Sequence, residues 1–551
     1  MQANPSELSA SVPVDVRRLP GFKRLAADYA YAFGGLAPFF AGDPSDPSAW
    51  ADAIGRTQAH QRHPNELASV IRAQQQRRGA PPAAVAAAGR LADARTVAVV
   101  TGQQAGLFGG PLFTILKALT ALKLAEQVTR DYGVPATAVF WIEAEDHDWD
   151  EVRSCTVFDS EMATRSMGLS PRTGDPVPVA AVTLDNQIAD VLTELEQTLP
   201  PTEFRASLLA DLRAAYAPGA GVADAFGRWL ERVLGDRGLV VYDASDPAAK
   251  PLVADLFSRE LSTPGQTARL AAKAGADLLA RGFHTQVQTP GDGIDSVALF
   301  RLDGHGRQPI QCRNGDFVVN DQPVPADAMV REAAERPSVF SPSVLLRPIV
   351  QDTIFPTVCY VAGPNELAYL GQLRGIYARF GVPMPLMYSR ATATLIDSAA
   401  ARFLAKYDVP LEALHSQDDS TLNELLKAQM PAEVDEAFAA ATRAIEEQMA
   451  RVILAVPMVD STLEGAGRTT LARMQKDLET LQGKTVQAAK RRNDTLRRQF
   501  VRTRTLAFPN GHAQERTIGF VWFLNQYGPA LVERLWHDLP INMGQHWIVT
   551  I

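Results

Sequence analysis

The chain of 551 residues is 46% hydrophobic and 21% charged, with a formal net charge of −8. That length allows roughly three to four domain-sized units, and so mild an acidic balance argues against a general nucleic-acid binder and for small-molecule partners. Cys155, Cys312 and Cys359 stand far apart without a C-x-x-C, which speaks against a disulfide framework or a Cys-rich zinc site and for a reducing cytoplasm.

The N-terminal stretch "MQANPSELSASVPVDVRRLPGF" lacks a charged segment followed by an apolar block. No run approaches the roughly 18 apolar residues that span a bilayer, so neither export nor membrane insertion is expected. Residues 1–93 read as a helical lead-in rich in Ala, Gln, Arg and Leu. The next stretch, "RTVAVVTGQQAGLFGGPLFTILKALTALKLAEQV", changes character. Val97 to Val100 is a short buried-strand run, Gly102 to Pro111 holds four glycines, and Leu112 to Val128 has helical apolar spacing. A second apolar run, "ATAVFWI", follows "DYGVP", so strand, glycine-rich loop, helix and strand make a βαβ unit with a parallel pair and a right-handed crossover. Further strands are predicted over Gly238 to Ser245, Pro356 to Gly363 and Met384 to Ser389, with a helix over "NELAYLGQLRGIYARF".

The predicted fold class is α/β, a Rossmann-like doubly wound parallel core over residues 94–400. Inserts interrupt it at about 151–199 and 283–340, the second alternating apolar and polar residues like a small antiparallel sheet. Residues 410–505 read as two long helices forming an antiparallel coiled-coil arm. Val434, Ala441, Ile445 and Val452 supply one face, and Leu471, Met474, Leu478, Leu481, Thr485 and Ala488 the other. The C-terminal segment 506–551 regains aromatics and is expected to pack back on the core.

Chemistry concentrates at two strand ends. The loop "TGQQAGLFGGP" resembles a phosphate cradle, since glycines let backbone approach an anion and the following helix start offers unpaired N–H groups. It is not a Walker motif, because Lys117 arrives one to two turns into the helix, and G-x-G-x-x-G is absent. A plain strand-to-helix turn would also explain the glycines, but Gln103 and Gln104 add donors and acceptors for a polar ligand and favour an anion or carboxylate site.

The second strand end is "FWIEAEDHDWDE", where Glu143, Glu145, Asp146, Asp148, Asp150 and Glu151 surround His147. A helix start accounts for some of these acids through the macrodipole. His147 between Asp146 and Asp148 suits general acid or base work, because a carboxylate fixes the imidazole tautomer. No H-x-x-x-H or H-E-x-x-H spacing marks a transition-metal centre, and a weak Mg²⁺ site carried with a nucleotide is the milder alternative.

Arg347 is a candidate for bidentate carboxylate or phosphate binding, or for a structural ion pair. Asn365 in "GPNE" is a candidate helix cap. "KRRNDTLRRQFVRTR", Lys490 to Arg504, holds seven basic residues and one acid, and reads as a solvated helix face before it reads as a phosphate contact. The three cysteines read as buried structural residues.

Together "TGQQAGLFGGPLFTILKALTALKLA", "VFWIEAEDHDWDEV", "SPSVLLRPIVQDTIFPTVCYVAGPNELAY" and "FPNGHAQER" resemble the bacillithiol biosynthesis BshC family, in order and over nearly the whole chain. The resemblance implies a cytoplasmic ligase that adds the carboxyl of cysteine to the amine of glucosaminyl malate. It also implies a Rossmann core with two connecting-peptide inserts and a coiled coil that makes a homodimer. Amide formation from a free carboxylate is uphill, so an activated acyl donor, adenylate or acyl phosphate, is expected. Neither HIGH nor KMSKS is present, and ATP with Mg²⁺ rests on fold analogy alone.

On this reading His147 with Asp146 or Asp148 deprotonates the attacking amine. Gln103, Gln104, Gly106, Thr114, Lys117, Arg347, Asn365 and the start of the Gly110 to Leu124 helix hold substrate. No resident metal, nucleic acid or membrane partner is implied. A non-catalytic binding or assembly factor, and a metal-dependent hydrolase at the acidic run, are the competing classes.

Overall fold

The computed structural model describes residues 11–172, 177–285, 295–303, 306–313, 315–429 and 432–551. Its centre is a five-stranded sheet whose strands are β1 (Val97–Gln103), β2 (Ala136–Ile142), β3 (Val240–Asp243), β4 (Thr357–Ala362) and β5 (Leu386–Ser389). The order across the sheet is β5-β4-β1-β2-β3, and every neighbouring pair is parallel. The α/β Rossmann-like class read from the sequence is therefore the one observed. "VAVVTGQ" and "ATAVFWI" are almost entirely buried, as strands covered on both faces must be.

Alternate residues face opposite layers. Ala98, Val100, Val139, Trp141, Val240 and Tyr242 join one continuous buried cluster with Leu67, Ile71, Ala87 and Ala88 from the preceding helices. The described part of the predicted lead-in, residues 11–93, thus does not stand apart, because the helices Pro64–Arg78 and Pro82–Arg90 are one cover of the sheet. The helix Leu112–Tyr132 packs on β1, β2 and β4. It ends where Gly133 enters the left-handed region and its N–H donates to the Thr129 carbonyl.

The predicted helix over 365–380 is two short helices, Leu367–Leu370 and Arg374–Phe380, separated at Gly371 to Leu373. The first insert is a hairpin, Ser154–Phe158 with Thr164–Gly168, followed by the helix Gln187–Thr198, with residues 173–176 outside the described ones. The second is an antiparallel sheet built on Asp295–Asp303 and Gly306–Arg313, edged by Phe340–Pro342. Residues 286–294, 304, 305 and 314 of the predicted insert lie outside the described residues. Near the C-terminus Gln545–Thr550 pairs antiparallel with Ser11–Asp15 and neighbours Thr392–Ile396.

The chain divides into two compact units, the described residues up to Leu395 with Ala513–Ile551, and Ile396–His512. In the second, Ala432–Ala455 and Leu463–Arg492 form a helical hairpin. Its seam is half-buried and takes Val434, Ala441, Ile445, Leu471, Leu478 and Thr485 as predicted. Ile453 replaces Val452, and Gln475 and Gln482 replace Met474 and Leu481, while Ala488 is also outside. Asn493 caps the next helix, Asp494–Ala507, where Arg502 pairs with Asp397 and Arg504 donates to the Asp418 carbonyl. Two cations of the basic stretch thus serve structure. No helix among the described residues is long and apolar enough to cross a membrane.

Candidate active site

The order β5-β4-β1-β2-β3 reverses between β1 and β4, and in open parallel sheets ligands bind outside the carboxyl ends of the strands at such a reversal. A cavity of about 440 Å³ lies there. A larger one, about 1290 Å³, opens at the other end of the sheet around Pro135, Ala136 and Gly238, away from every candidate residue. The strand-end cavity is the one into which the chemistry of this chain converges.

β1 delivers Gly102 and Gln103 to its wall, and β2 delivers Trp141 and, one residue beyond the strand, Glu143. The Glu143 N–H still donates to the Gln103 carbonyl at 2.9 Å, so the ladder itself holds this acid in place. Its carboxylate accepts from the Trp141 indole N–H at 3.0 Å and lies 3.6 Å from the Arg347 guanidinium. Burial raises the Glu143 pKa above its ordinary value, against the opposing pull of Arg347. Arg347 in turn donates to the Tyr369 hydroxyl at 3.2 Å and to Gln351 Oε1 at 3.2 Å. Burial pushes Tyr369 up to about 12, so it stays a neutral partner.

Lys117 is buried on the opposite side of β1. Its ammonium donates to the Gly102 carbonyl at 2.8 Å and to Gln103 Oε1 at 3.1 Å, and pairs with Glu366 at 2.8 Å. Burial lowers its pKa, opposed by Glu366. Glu366 also accepts from the Gly363 N–H, closing the "GPNE" turn. Lys117 therefore ties β1, its own helix and the turn after β4 together, and its donors are spent on protein. Asn365, half-buried on the cavity wall, does not cap the helix; Glu366 makes that turn instead.

In the acidic run, Asp146 reaches the cavity, accepts from Gln104 Nε2 at 2.7 Å and lies 4.0 Å from Arg307 of the antiparallel insert. His147 does not line the cavity; its side chain is 44% exposed and its ring nitrogen lies 3.6 Å from Asp146. Asp148 caps the short helix Trp149–Val152 by accepting from the Glu151 N–H, and Asp150 pairs with Arg153 on the surface. Glu145 is drawn inward to a buried pair with Lys250. The six carboxylates thus divide between cap, surface pair, buried pair and cavity wall.

The structure brings Gln103, Gln104, Lys117, Asp146, Arg347 and Asn365 to one cavity, and leaves Gly106, Thr114, His147 and Asp148 off its wall. Thr114 is completely buried behind the loop. Glu143 was visible within the acidic run but carried no motif of its own. Glu366, Tyr360, Tyr369, Arg390 and Arg516 also line the cavity without having been singled out by sequence. The loop glycines do not make an open cradle. The Gly106, Gly109 and Gly110 N–H groups donate to the carbonyls of Gln104, Gly106 and Leu107, and the Leu112 N–H at the helix start donates to the Ile518 carbonyl at 2.9 Å. Donors spent in this way do not fit the phosphates of a nucleotide at the loop, and among the described residues no three His, Cys, Asp or Glu side chains converge to hold a metal ion.

Comparison with known proteins divides the chain after nearly the same residue, but keeps Ala513–Ile551, which the structure places with the first unit, in the second. The family described as bacillithiol biosynthesis BshC, N-terminal Rossmann-like domain, matches residues 12–391, and the BshC C-terminal coiled-coil domain matches 393–551. A protein of Salinibacter ruber named "Putative cysteine ligase BshC" is 33% identical over 537 residues, 97% of each chain. A protein of the same name from Symbiobacterium thermophilum is 34% identical over 485 residues, 85% of this chain and 86% of its own. One from Koribacter versatilis is 32% identical over 472 residues, 86% and 87%. With both domains matched in order, and the parallel core and helical hairpin that those descriptions name, the chain belongs to the BshC family of bacillithiol biosynthesis.

Proposed function

We propose that this chain is a carbon–nitrogen ligase that joins the carboxyl of L-cysteine, in activated form, to the amine of glucosaminyl malate. The observation that carries the proposal is the polarity of the strand-end cavity. Glu143, Asp146 and Glu151 lie on its wall together with Arg347, Arg390 and Arg516. A molecule carrying both an amine and carboxylates is matched by such a wall, and the relatives' name supplies the cysteine.

In this reading Glu143 is the general base. It is held by the strand ladder, and burial raises its pKa toward the range in which a carboxylate accepts a proton from an ammonium group more readily. The amine nitrogen attacks the carbonyl carbon of the activated cysteine, the C–N bond forms, the bond to the leaving group breaks, and Glu143 takes the nitrogen's proton. Arg347, held by Tyr369, Gln351 and Glu143, faces the developing oxyanion. Purified protein supplied with glucosaminyl malate and cysteinyl adenylate is expected to release the cysteine amide, read by mass spectrometry. No amide from either the adenylate or the acyl phosphate, above the rate without protein, would overturn the proposal.

The same reading assigns the helical hairpin to self-association. Met474 and Leu481 sit seven residues apart outside the hairpin seam, and Val452, Leu454, Met458 and Val459 are exposed near its turn. A second copy of the hairpin would cover this stripe, giving a homodimer.

A further inference from the structure

The motif "FPNGHAQER" ends in three residues with divergent environments. Gln514 is fully buried and pairs with Leu395 as a strand would, its Oε1 accepting from the Leu395 N–H at 2.7 Å and its Nε2 donating to the Leu395 carbonyl at 2.8 Å. Glu515 is buried and accepts twice from the Arg390 guanidinium, at 2.6 and 2.9 Å, and once from the Ala393 N–H at 3.0 Å. Three residues after Glu515 the Ile518 carbonyl accepts from the Leu112 N–H. Arg516, between these anchors, is exposed and lines the strand-end cavity. Its guanidinium lies 5.6 Å from the centroid of the Phe113 ring, and Arg390 lies 5.3 Å from the same centroid. Arg390 is neutralised by Glu515, whereas Arg516 has no carboxylate within ion-pair distance among the described residues.

An arginine fixed on both sides, laid on an aromatic face and left without a counter-ion at the wall of a cavity is arranged to receive an anion, because its planar fork loses little freedom on pairing with a carboxylate. The other cations on this wall are already engaged, Lys117 by Glu366, Arg347 by Glu143 and Tyr369, and Arg390 by Glu515. We propose that Arg516 is a specificity-determining residue that binds a carboxylate of the amine-bearing substrate, with Phe113 holding the guanidinium in plane. The inference rests on the ligase reading for the identity of that substrate, and on the geometry of Arg516 alone for the class of ligand, a carboxylate.

The test is calorimetric titration of the full-length protein with L-malate, dimethyl malate and inorganic phosphate, on wild type, Arg516→Gln and Arg516→Lys, with melting temperatures as the control for fold. Wild type is expected to bind malate and to ignore the dimethyl ester. Arg516→Gln should weaken malate about tenfold to a hundredfold, as loss of a charge-assisted hydrogen-bonded pair does, with its melting temperature unchanged and Arg516→Lys recovering part of the loss. Malate affinity equal in wild type and Arg516→Gln, or absent in wild type, overturns the proposal. Arg516-dependent binding of phosphate without Arg516-dependent binding of malate overturns it in favour of the donor's phosphate. Malate binding is read without turnover, so a protein that binds malate through Arg516 yet makes no amide would sink the ligase reading and leave this one standing.

Discussion

Glu143 and His147 lie four residues apart in one acidic run, and their side chains meet different surroundings. Glu143 is at the strand end, its backbone in the ladder and its side chain 21% exposed beside Arg347, while His147 is on the outer side of the turn. Glu143→Gln is therefore expected to lower amide formation by about a hundredfold or more, the usual scale for loss of a general base, whereas His147→Ala should stay within about threefold. The reverse pattern would return the base to His147. Because the Glu143 carboxylate acts deprotonated and burial raises its pKa, the rate should fall with decreasing pH through a value above that of an ordinary glutamate, and this limb should vanish in Glu143→Gln. The sequence displayed the acids but could not separate cap from cavity wall. Asp148 as a helix cap, Glu145 in a buried pair with Lys250 and Glu143 as a cavity acid differ by where the turn after β2 points each side chain. That direction is set by contacts with residues far along the chain, such as the Val179 and Ala180 N–H groups donating to the Asp146 and Ala144 carbonyls.

At the scale of elements, β1, the helix Leu112–Tyr132 and β2 were legible because fully buried apolar runs separated by glycines admit few other readings. The helix over 365–380 was misread because apolar spacing continues through Gly371, while the chain there is folded tightly enough that a Cβ on Gly371 would come 3.3 Å from Phe40. The glycine loop looks like an anion cradle in sequence, but its N–H groups close on the loop's own carbonyls. Gly109 shows what the glycines are for: its φ is +93°, and a Cβ there would meet the Trp229 indole at 2.8 Å. Gly109→Ala should destabilise the protein by about 1–3 kcal/mol, the scale of a strained left-handed residue, seen as a lower melting temperature; an unchanged one would show that the loop yields. In the hairpin, the 3,4 pattern fits two neighbouring stripes, and only the packed structure distinguishes the seam from the uncovered one. On the proposed self-association, Met474→Asp with Leu481→Asp should shift the protein from dimer to monomer in sedimentation velocity while its helical circular dichroism persists. An unaltered sedimentation coefficient would remove that stripe from the interface.

For the whole molecule, the return of the C-terminal segment has consequences for stability as well as for the site. His546, on Gln545–Thr550, is buried against Thr394, 2.8 Å from its hydroxyl. Burial holds its imidazole down at about 4, with Glu515 opposing and Arg390 reinforcing, against an ordinary value of 6.5. Below 6.5 the unfolded chain takes up a proton that the folded chain refuses until about 4. This contribution is therefore complete above pH 6.5 and is lost as the pH falls, by about 3 kcal/mol at pH 4. His546→Gln should show a smaller fall in melting temperature between pH 7 and pH 4.5 than wild type; equal falls would place the acid sensitivity elsewhere.

The same return brings Glu515 under Arg390 and Arg516 to the cavity wall, so residues far beyond Glu143 in the chain complete the site. The most direct test of the account is calorimetric titration of glucosaminyl malate into wild type and Glu143→Gln. The cavity at the sheet reversal predicts saturable binding to wild type, weakened about tenfold or more when the carboxylate facing the amine is neutralised. Binding of equal strength to both proteins, or none to wild type, would contradict it.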